Sequence, residues 1–489
     1  MGFLDKAVYR GCGGTSRCAN NDHRSHRPAP WLNASFTLAA LSFVPISRNS
    51  SSLRIASRKR AFFDPKGLGG RSDCIIREAR LRCYSCAKIR EGSGLQMNDP
   101  SANSHAGVRQ ALVLSGGGAR AAYQVGCLRH IAQVIPEYRP KILTGVSAGA
   151  INAVHLAAYR GEWLEAVERL RSLWLSLETN KVYHADLRHV LRRVLHWGLR
   201  VLSGGRMGRG DVRGMVDSSP LQQFLRANLP QQNGQIAGVH ENLQEAVIEA
   251  VAIITTNYAS GRSEAWVQSS NDELWQQGQL LSQPAEISLP HILASAALPM
   301  FFPAVSLNGQ WHGDGGIRLS APLSPAMHLG ADRILAVSPR AQNAADDSAS
   351  TAGYPSPAQI AGVLLNAVFL DLLDFDALQM QRINDLLAQL PQQQWGKYRP
   401  VDVMVLRPKE DLGELARAHE LELPKAFRFF QQGLGDRREP SADALSMVMF
   451  EPEYLRLLMN LGEQDAAARS DEIRAFLLAA KTHGESEHV

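Results

Sequence analysis

One stretch, Lys141 to Asn152, constrains this chain more than any other. It reads K-I-L-T-G-V-S-A-G-A-I-N. Ile142 to Val146 is a short apolar run that ends at a turn signal, which predicts a buried strand. Ala148 to Ala158 is alanine-rich and predicts a helix. Gly145, Ser147 and Gly149 between them make a G-x-S-x-G. Strand, sharp turn with serine at its apex, then helix is the setting of a nucleophile elbow. Side chains two positions either side of the serine would strike the neighbouring strand and helix, so glycine is expected at both. The same turn points a helix N-terminus at the hydroxyl. An ordinary strand–helix junction with a capping serine has a similar local sequence, so the rest of the chain decides.

The surrounding sequence alternates strand and helix. Gln110 to Leu114 reads as a buried parallel strand. Ser115-Gly116-Gly117-Gly118-Ala119-Arg120 follows, then a helical run from Ala121 to Val134. A glycine loop in that position offers backbone N–H groups to an anion. It is no nucleotide fingerprint, because Ala121 fills the last glycine position of G-x-G-x-x-G and no G-K-[ST] is present. Further helical runs span Glu162 to Leu177 and Ala185 to Leu202. Strands are predicted over Ala246 to Thr255, Glu264 to Gln268 and Arg333 to Val337, with a short helix from His291 to Ala297. Trp311 to Gly316 reads as a tight glycine turn carrying one acid, Asp314. The pattern predicts an α/β fold: a three-layer α/β/α core with a mostly parallel central sheet.

Beyond a polar linker at 341–356, residues 341–489 read as a mainly helical C-terminal extension. Its runs are Pro357 to Leu390, as two helices or one long one, Asp411 to Gly433, Ser441 to Met447 and Pro452 to Leu478, with an added edge strand over Val401 to Leu406. The expected domains are therefore 1–96, 108–340 and 341–489.

Charge separates the first of these from the rest. Of 52 Lys and Arg and 47 Asp and Glu, residues 1–96 hold 17 and 6, leaving 35 and 41 for residues 97–489. The basic character belongs to the N-terminal segment, so it is no argument for nucleic-acid binding by the globular part. That segment lacks a sustained period and reads as disordered, with Met97 as the expected natural start. Five of six cysteines lie in it, and only Cys127 lies beyond. The pairs Cys12/Cys18 and Cys83/Cys86 are too far apart to argue for zinc, and no metal or cofactor is expected. Its one apolar stretch, Trp31 to Ile46, is too short and polar to span a bilayer and lacks the form of a signal peptide. The expected location is cytoplasmic or peripheral to a membrane.

A glycine loop, a serine elbow and an Asp-Gly-Gly turn thus follow one another. With Ala294-Ser295-Ala296-Ala297-Leu298-Pro299 and Phe301-Phe302-Pro303, the set resembles the patatin-like phospholipases over about residues 108–340. The resemblance implies a Ser–Asp dyad lipid acyl hydrolase. Ser147 would be the nucleophile and Asp314, followed by Gly315 and Gly316, the base. The amides of Gly116, Gly117 and Gly118, with that of Ala148, would form the oxyanion hole. Two departures stand out: Arg120 is followed by Ala121 where the family commonly has glycine, and residues 1–96 have no counterpart in its core. Arg120 is expected to meet a phosphate or substrate carboxylate, or else to pair with an acid on the core.

The implied substrate is a phospholipid or another fatty-acyl ester. A Ser-His-Asp carboxylesterase or thioesterase is the alternative enzyme, with His155, His291 or His312 as its histidine. A non-catalytic lipid-binding scaffold is the alternative from another class. The 185–202 run carries Arg188, Arg192, Arg193 and Arg200 opposite an apolar stripe. It reads either as a core helix with a solvated basic face or as a membrane-surface or lid helix.

Overall fold

Apolar runs far apart in the sequence become parallel neighbours in one sheet. Gln110–Leu114 (β1), Ile142–Val146 (β2), Ala250–Asn257 (β3), Arg333–Val337 (β8) and Asp402–Leu406 (β9) pair side by side in the order β9-β8-β1-β2-β3. Ser263–Ser269 (β4) then runs antiparallel to β3, and Leu280–Pro284 (β5) parallel to β4. The structure, a computed structural model, describes residues 107–184, 192, 195–196, 198–199, 203, 214–270, 274–342, 357–369, 371–419 and 442–480. The basic segment 1–96, Met97, most of the 185–202 run and the 411–433 run beyond residue 419 lie outside the described residues.

Side-chain alternation along the strands builds two cores. Leu112, Leu114, Leu335, Val337, Met404 and Leu406 pack on one face against helices Ala122–Val134 (α1), Ala148–Ala158 (α2) and Trp163–Leu175 (α3). Ala111, Val113, Ile334 and Ala336 face the other way, onto Leu323, Ala326 and the helix Leu372–Ala388. Strands buried on both faces read as continuous apolar runs, which is why these segments were legible without alternation. The result is an α/β fold with helices on both sides of a mostly parallel sheet. No described helix is long and apolar enough to cross a membrane.

Two local features differ from the sequence reading, and a third is decided. Trp311 is not in a turn: Gln310–Asp314 is a strand (β7), antiparallel to Val305–Leu307 (β6) on one side and to the end of β3 on the other. The Ala246 strand starts later, at Ala250. The Pro357 to Leu390 run divides into Pro357–Phe369 and Leu372–Ala388.

The C-terminal helices Ala442–Val448 (α8) and Pro452–Ala468 (α9) are part of the main core. Leu445, Met449, Phe450, Leu455 and Leu458 join the cluster that holds α1.

Candidate active site

The register of β3 places the elbow and the acid together. β2 pairs with β3 only as far as Val146 opposite Ile254. β3 runs on, and β7 takes over the same edge in the opposite direction, with Asp314 opposite Thr255. The ends of β2 and β7 therefore meet head to head, and the residues that leave them are Ser147 and Asp314.

Ser147 has φ 57° and ψ −130°, a left-handed conformation unusual for a residue with a side chain. Such a residue costs on the order of 1–3 kcal/mol and persists only where its surroundings fix it. Here the Ser147 N–H donates to Ser295 Oγ at 3.0 Å, and the fully buried Ser295 hydroxyl donates to the Ile254 carbonyl at 2.7 Å. The turn is also crowded. A Cβ on Gly145 would lie 2.5 Å from the Gly149 carbonyl oxygen, and one on Gly149 2.5 Å from that of Ser115.

Asp314 is completely buried. Its Oδ1 accepts from the Gly316 N–H at 2.9 Å, which the Gly315-Gly316 turn makes possible. Its Oδ2 closes no hydrogen bond. Burial pushes the carboxyl pKa up to about 7, although the neighbouring Ser147 hydroxyl and the Gly316 amide both pull it down. Ser147 is thus an electrostatic partner of the carboxyl, at looser geometry than a closed hydrogen bond. Catalytic contacts are often loose before substrate binds.

The glycine loop passes over the serine. A Cβ on Gly116 would lie 3.1 Å from Ser147 Cβ and 3.8 Å from its Oγ. Gly117 and Gly118 have φ of 148° and 57°. Among the described residues, none accepts a hydrogen bond from the amides of Gly116, Gly117, Gly118 or Ala148. The loop is fixed from two sides. Gln124 Nε2 donates to the Ser115 carbonyl at 2.7 Å, and Gln124 in turn accepts from Asn152, which accepts from Trp174 Nε1. On the outer side, the Met447 carbonyl of α8 occupies the space where a Gly118 side chain would stand. Arg120 is buried, and its Nε donates to Ser446 Oγ at 2.5 Å, so it links the loop to α8.

A narrow apolar cavity opens onto Ser147, Gly117 and Gly118. It runs between α2, α3, Ser219–Asn228 (α4) and Val448 to Phe450, with Ile151, Leu170, Trp174 and Phe224 among its walls. Asp314 is not among its lining residues. No described group of residues could hold a metal ion.

None of the three candidate histidines hydrogen-bonds Ser147 or Asp314. His312 Nδ1 lies 3.1 Å from Thr255 Oγ1, and its Nε2 3.9 Å from Glu264 Oε2. His291 caps its own helix through Ser288 and packs on Trp266 at 4.8 Å. His155 lines the apolar cavity. Burial lowers the pKa of His155 and His291 to about 4, leaving both neutral at pH 7.

Ser295 stands in the Ala294–Pro299 motif without a role in the sequence reading, and Ser446 is a neighbour of the loop that the sequence did not reveal. Ser295 lies 148 positions from Ser147, and Ser446 lies 326 from Arg120. No local spacing announces either contact.

The family model described as Patatin-like phospholipase matches residues 112–327. No curated protein matches the chain. Solved structures similar to it include VipD from Legionella pneumophila, at 13% identity, 74% of this chain, 67% of that one and a TM-score of 0.33. Human GIVD cytosolic phospholipase A2 is similar at 12% identity, 76% of this chain, 60% of that one and a TM-score of 0.38. The type III effector ExoU from Pseudomonas aeruginosa is similar at 14% identity, 76%, 54% and 0.30. The chain thus spans about half to two thirds of the length of these proteins.

Proposed function

We propose that this chain, which carries a patatin-like phospholipase domain over residues 112–327, is a serine lipid acyl hydrolase working through a Ser147–Asp314 dyad. The observation that carries the reading is the pairing of a strained serine with a buried carboxyl whose pKa lies near 7. A serine hydroxyl is a poor nucleophile until a base takes its proton during attack. An ordinary carboxylate is too weak a base, but one raised to near neutrality is matched to the task.

In this mechanism Ser147 Oγ attacks the ester carbonyl as its proton passes to Asp314. The negative oxygen of the tetrahedral intermediate is held by the loop amides of Gly116–Gly118 and by Ala148. Each such donor is worth roughly 3 kcal/mol in comparable reactions. Asp314 then gives the proton to the departing alcohol, leaving an acyl group on Ser147. Water, deprotonated by Asp314, releases the fatty acid and restores the serine. The cavity suits the fatty-acyl chain, which gains about 0.8 kcal/mol per buried methylene.

Only the ionised Asp314 accepts a proton. The value of kcat/KM should therefore fall about tenfold per pH unit below about 7 and level off above it. A flat profile between about pH 5 and 8 would exclude a base with that environment.

Ser295 should act as a positioning residue. Ser295→Ala removes two hydrogen bonds, the one accepted from the Ser147 N–H and the one donated to the Ile254 carbonyl, and leaves the turn's amide unpaired at a cost of about 1 kcal/mol or more. The expected effect is a kcat lowered about five- to tenfold with KM little changed. Equal losses in kcat and thermal stability with a raised KM would instead mark general loosening. A panel of phospholipids, acylglycerols and short-chain esters assayed for fatty-acid release tests the function as a whole. Release from none of them would count against it.

A further inference from the structure

The cavity wall contains one side chain that an acyl chain alone does not require. His155 is 5% exposed, lines the cavity, and has no hydrogen bond at either Nδ1 or Nε2. The Ala166 carbonyl of α3 is close enough to favour the protonated ring but closes no hydrogen bond. Tyr159 packs beside it with ring centroids 6.4 Å apart. The neutral ring keeps one N–H donor and one lone pair, and burying both unpaired is unfavourable. Its cavity-lining neighbour one turn back on α2 is Ile151, so an aliphatic residue would satisfy packing without that penalty.

Position gives the histidine a meaning. Ser147, Ile151 and His155 follow one another at i, i+4 and i+8, on one side of α2, and all three line the cavity. Eight residues at a helical rise put His155 roughly 12 Å beyond the serine. With the acyl carbonyl at Ser147, that is the middle of a long chain.

Resting on the hydrolase reading above, we propose that His155 is a specificity-determining residue that hydrogen-bonds a mid-chain hydroxyl, and that the preferred substrates are esters of hydroxylated long-chain acids. A hydroxyl is donor and acceptor at once, so it can pair with whichever ring nitrogen it meets, the N–H or the lone pair. A mid-chain carboxylate would need a cation, and among the described residues no Lys or Arg lines the cavity. Two polar side chains of the described wall, Trp174 and Asn228, are already engaged, donating to Asn152 Oδ1 at 2.8 Å and to the Phe224 carbonyl at 2.9 Å.

The test compares p-nitrophenyl stearate with its mid-chain hydroxylated counterpart, using the full chain and its His155→Leu and His155→Gln variants. The wild type should favour the hydroxylated ester by about tenfold in kcat/KM, the equivalent of one hydrogen bond. His155→Leu should abolish or invert that ratio, and His155→Gln should retain part of it. No preference in the wild type, or an unchanged ratio in His155→Leu, would overturn the proposal and leave His155 a packing residue. If wild-type protein hydrolyses neither these esters nor p-nitrophenyl butyrate, the hydrolase reading fails separately. Binding then decides: hydroxystearic acid should quench Trp174 fluorescence at about tenfold lower concentration than stearic acid, with the difference lost in His155→Leu. Equal affinities would reject the site.

Discussion

Ser147→Ala should abolish ester hydrolysis, with kcat reduced by about five to six orders of magnitude, as happens when a serine nucleophile is removed. The change deletes only Oγ. The Cβ that packs 3.1 Å from the Gly116 position remains, and so does the backbone hydrogen bond to Ser295. Alanine at φ 57° is no more strained than serine there. The melting temperature should therefore stay close to the wild-type value. Wild-type turnover in a folded Ser147→Ala protein would place the nucleophile elsewhere.

Asp314→Asn should lower kcat by about three to four orders of magnitude, because an amide cannot accept the serine proton. His155→Ala, His291→Ala and His312→Ala should each fall far short of that. In a Ser-His-Asp triad the histidine is the base, and its loss is as damaging as loss of the serine. His312→Ala should show a modest loss, since it removes a ring held against Thr255, the residue opposite Asp314 in the sheet. A histidine variant as inactive as Ser147→Ala, beside an active Asp314→Asn, would establish the triad instead.

The same substitution should have a signature in stability. The folded pKa of Asp314 is about 7, against an ordinary value of 3.8. Between these values the folded state binds more protons than the unfolded, so this residue's contribution to stability is lost as pH rises through the window. Asp314→Asn removes that dependence. Its melting temperature should gain on the wild type as pH goes from about 4 to about 7, and stay ahead above that. A constant difference across the window would mean that the carboxyl is not held protonated by burial.

The central sheet was legible because its strands are buried on both faces and therefore apolar throughout, as in Leu112 to Leu114 and Ile334 to Val337. The elbow was legible because a strained turn leaves local evidence, glycine at 145 and 149. The identity of Asp314 was suggested by its glycine neighbours, but its contact with Ser147 depends on β3 outrunning β2, a property of register rather than of any short motif. For the same reason Trp311 to Gly313 read as part of a turn: three glycines and a lone acid conceal a strand whose partner is set by the sheet. The C-terminal helices show no chemical motif in their sequence. Their contribution is backbone and packing, with the Met447 carbonyl against Gly118 and Ser446 on Arg120, and neither leaves a mark on side-chain spacing. His155 was visible as a histidine on the helix after the elbow; its unpartnered state inside an apolar cavity was not.

On the proposed function, Ser147 is an activated nucleophile at the mouth of an acyl-chain cavity. Incubation with a long-chain alkyl fluorophosphonate, followed by intact-mass measurement and peptide mapping, tests it most directly. The expected result is one adduct per chain, located on Ser147, absent from Ser147→Ala and formed far more slowly by Asp314→Asn. Labelling at another residue, or none in wild-type protein with an intact fold, would contradict it.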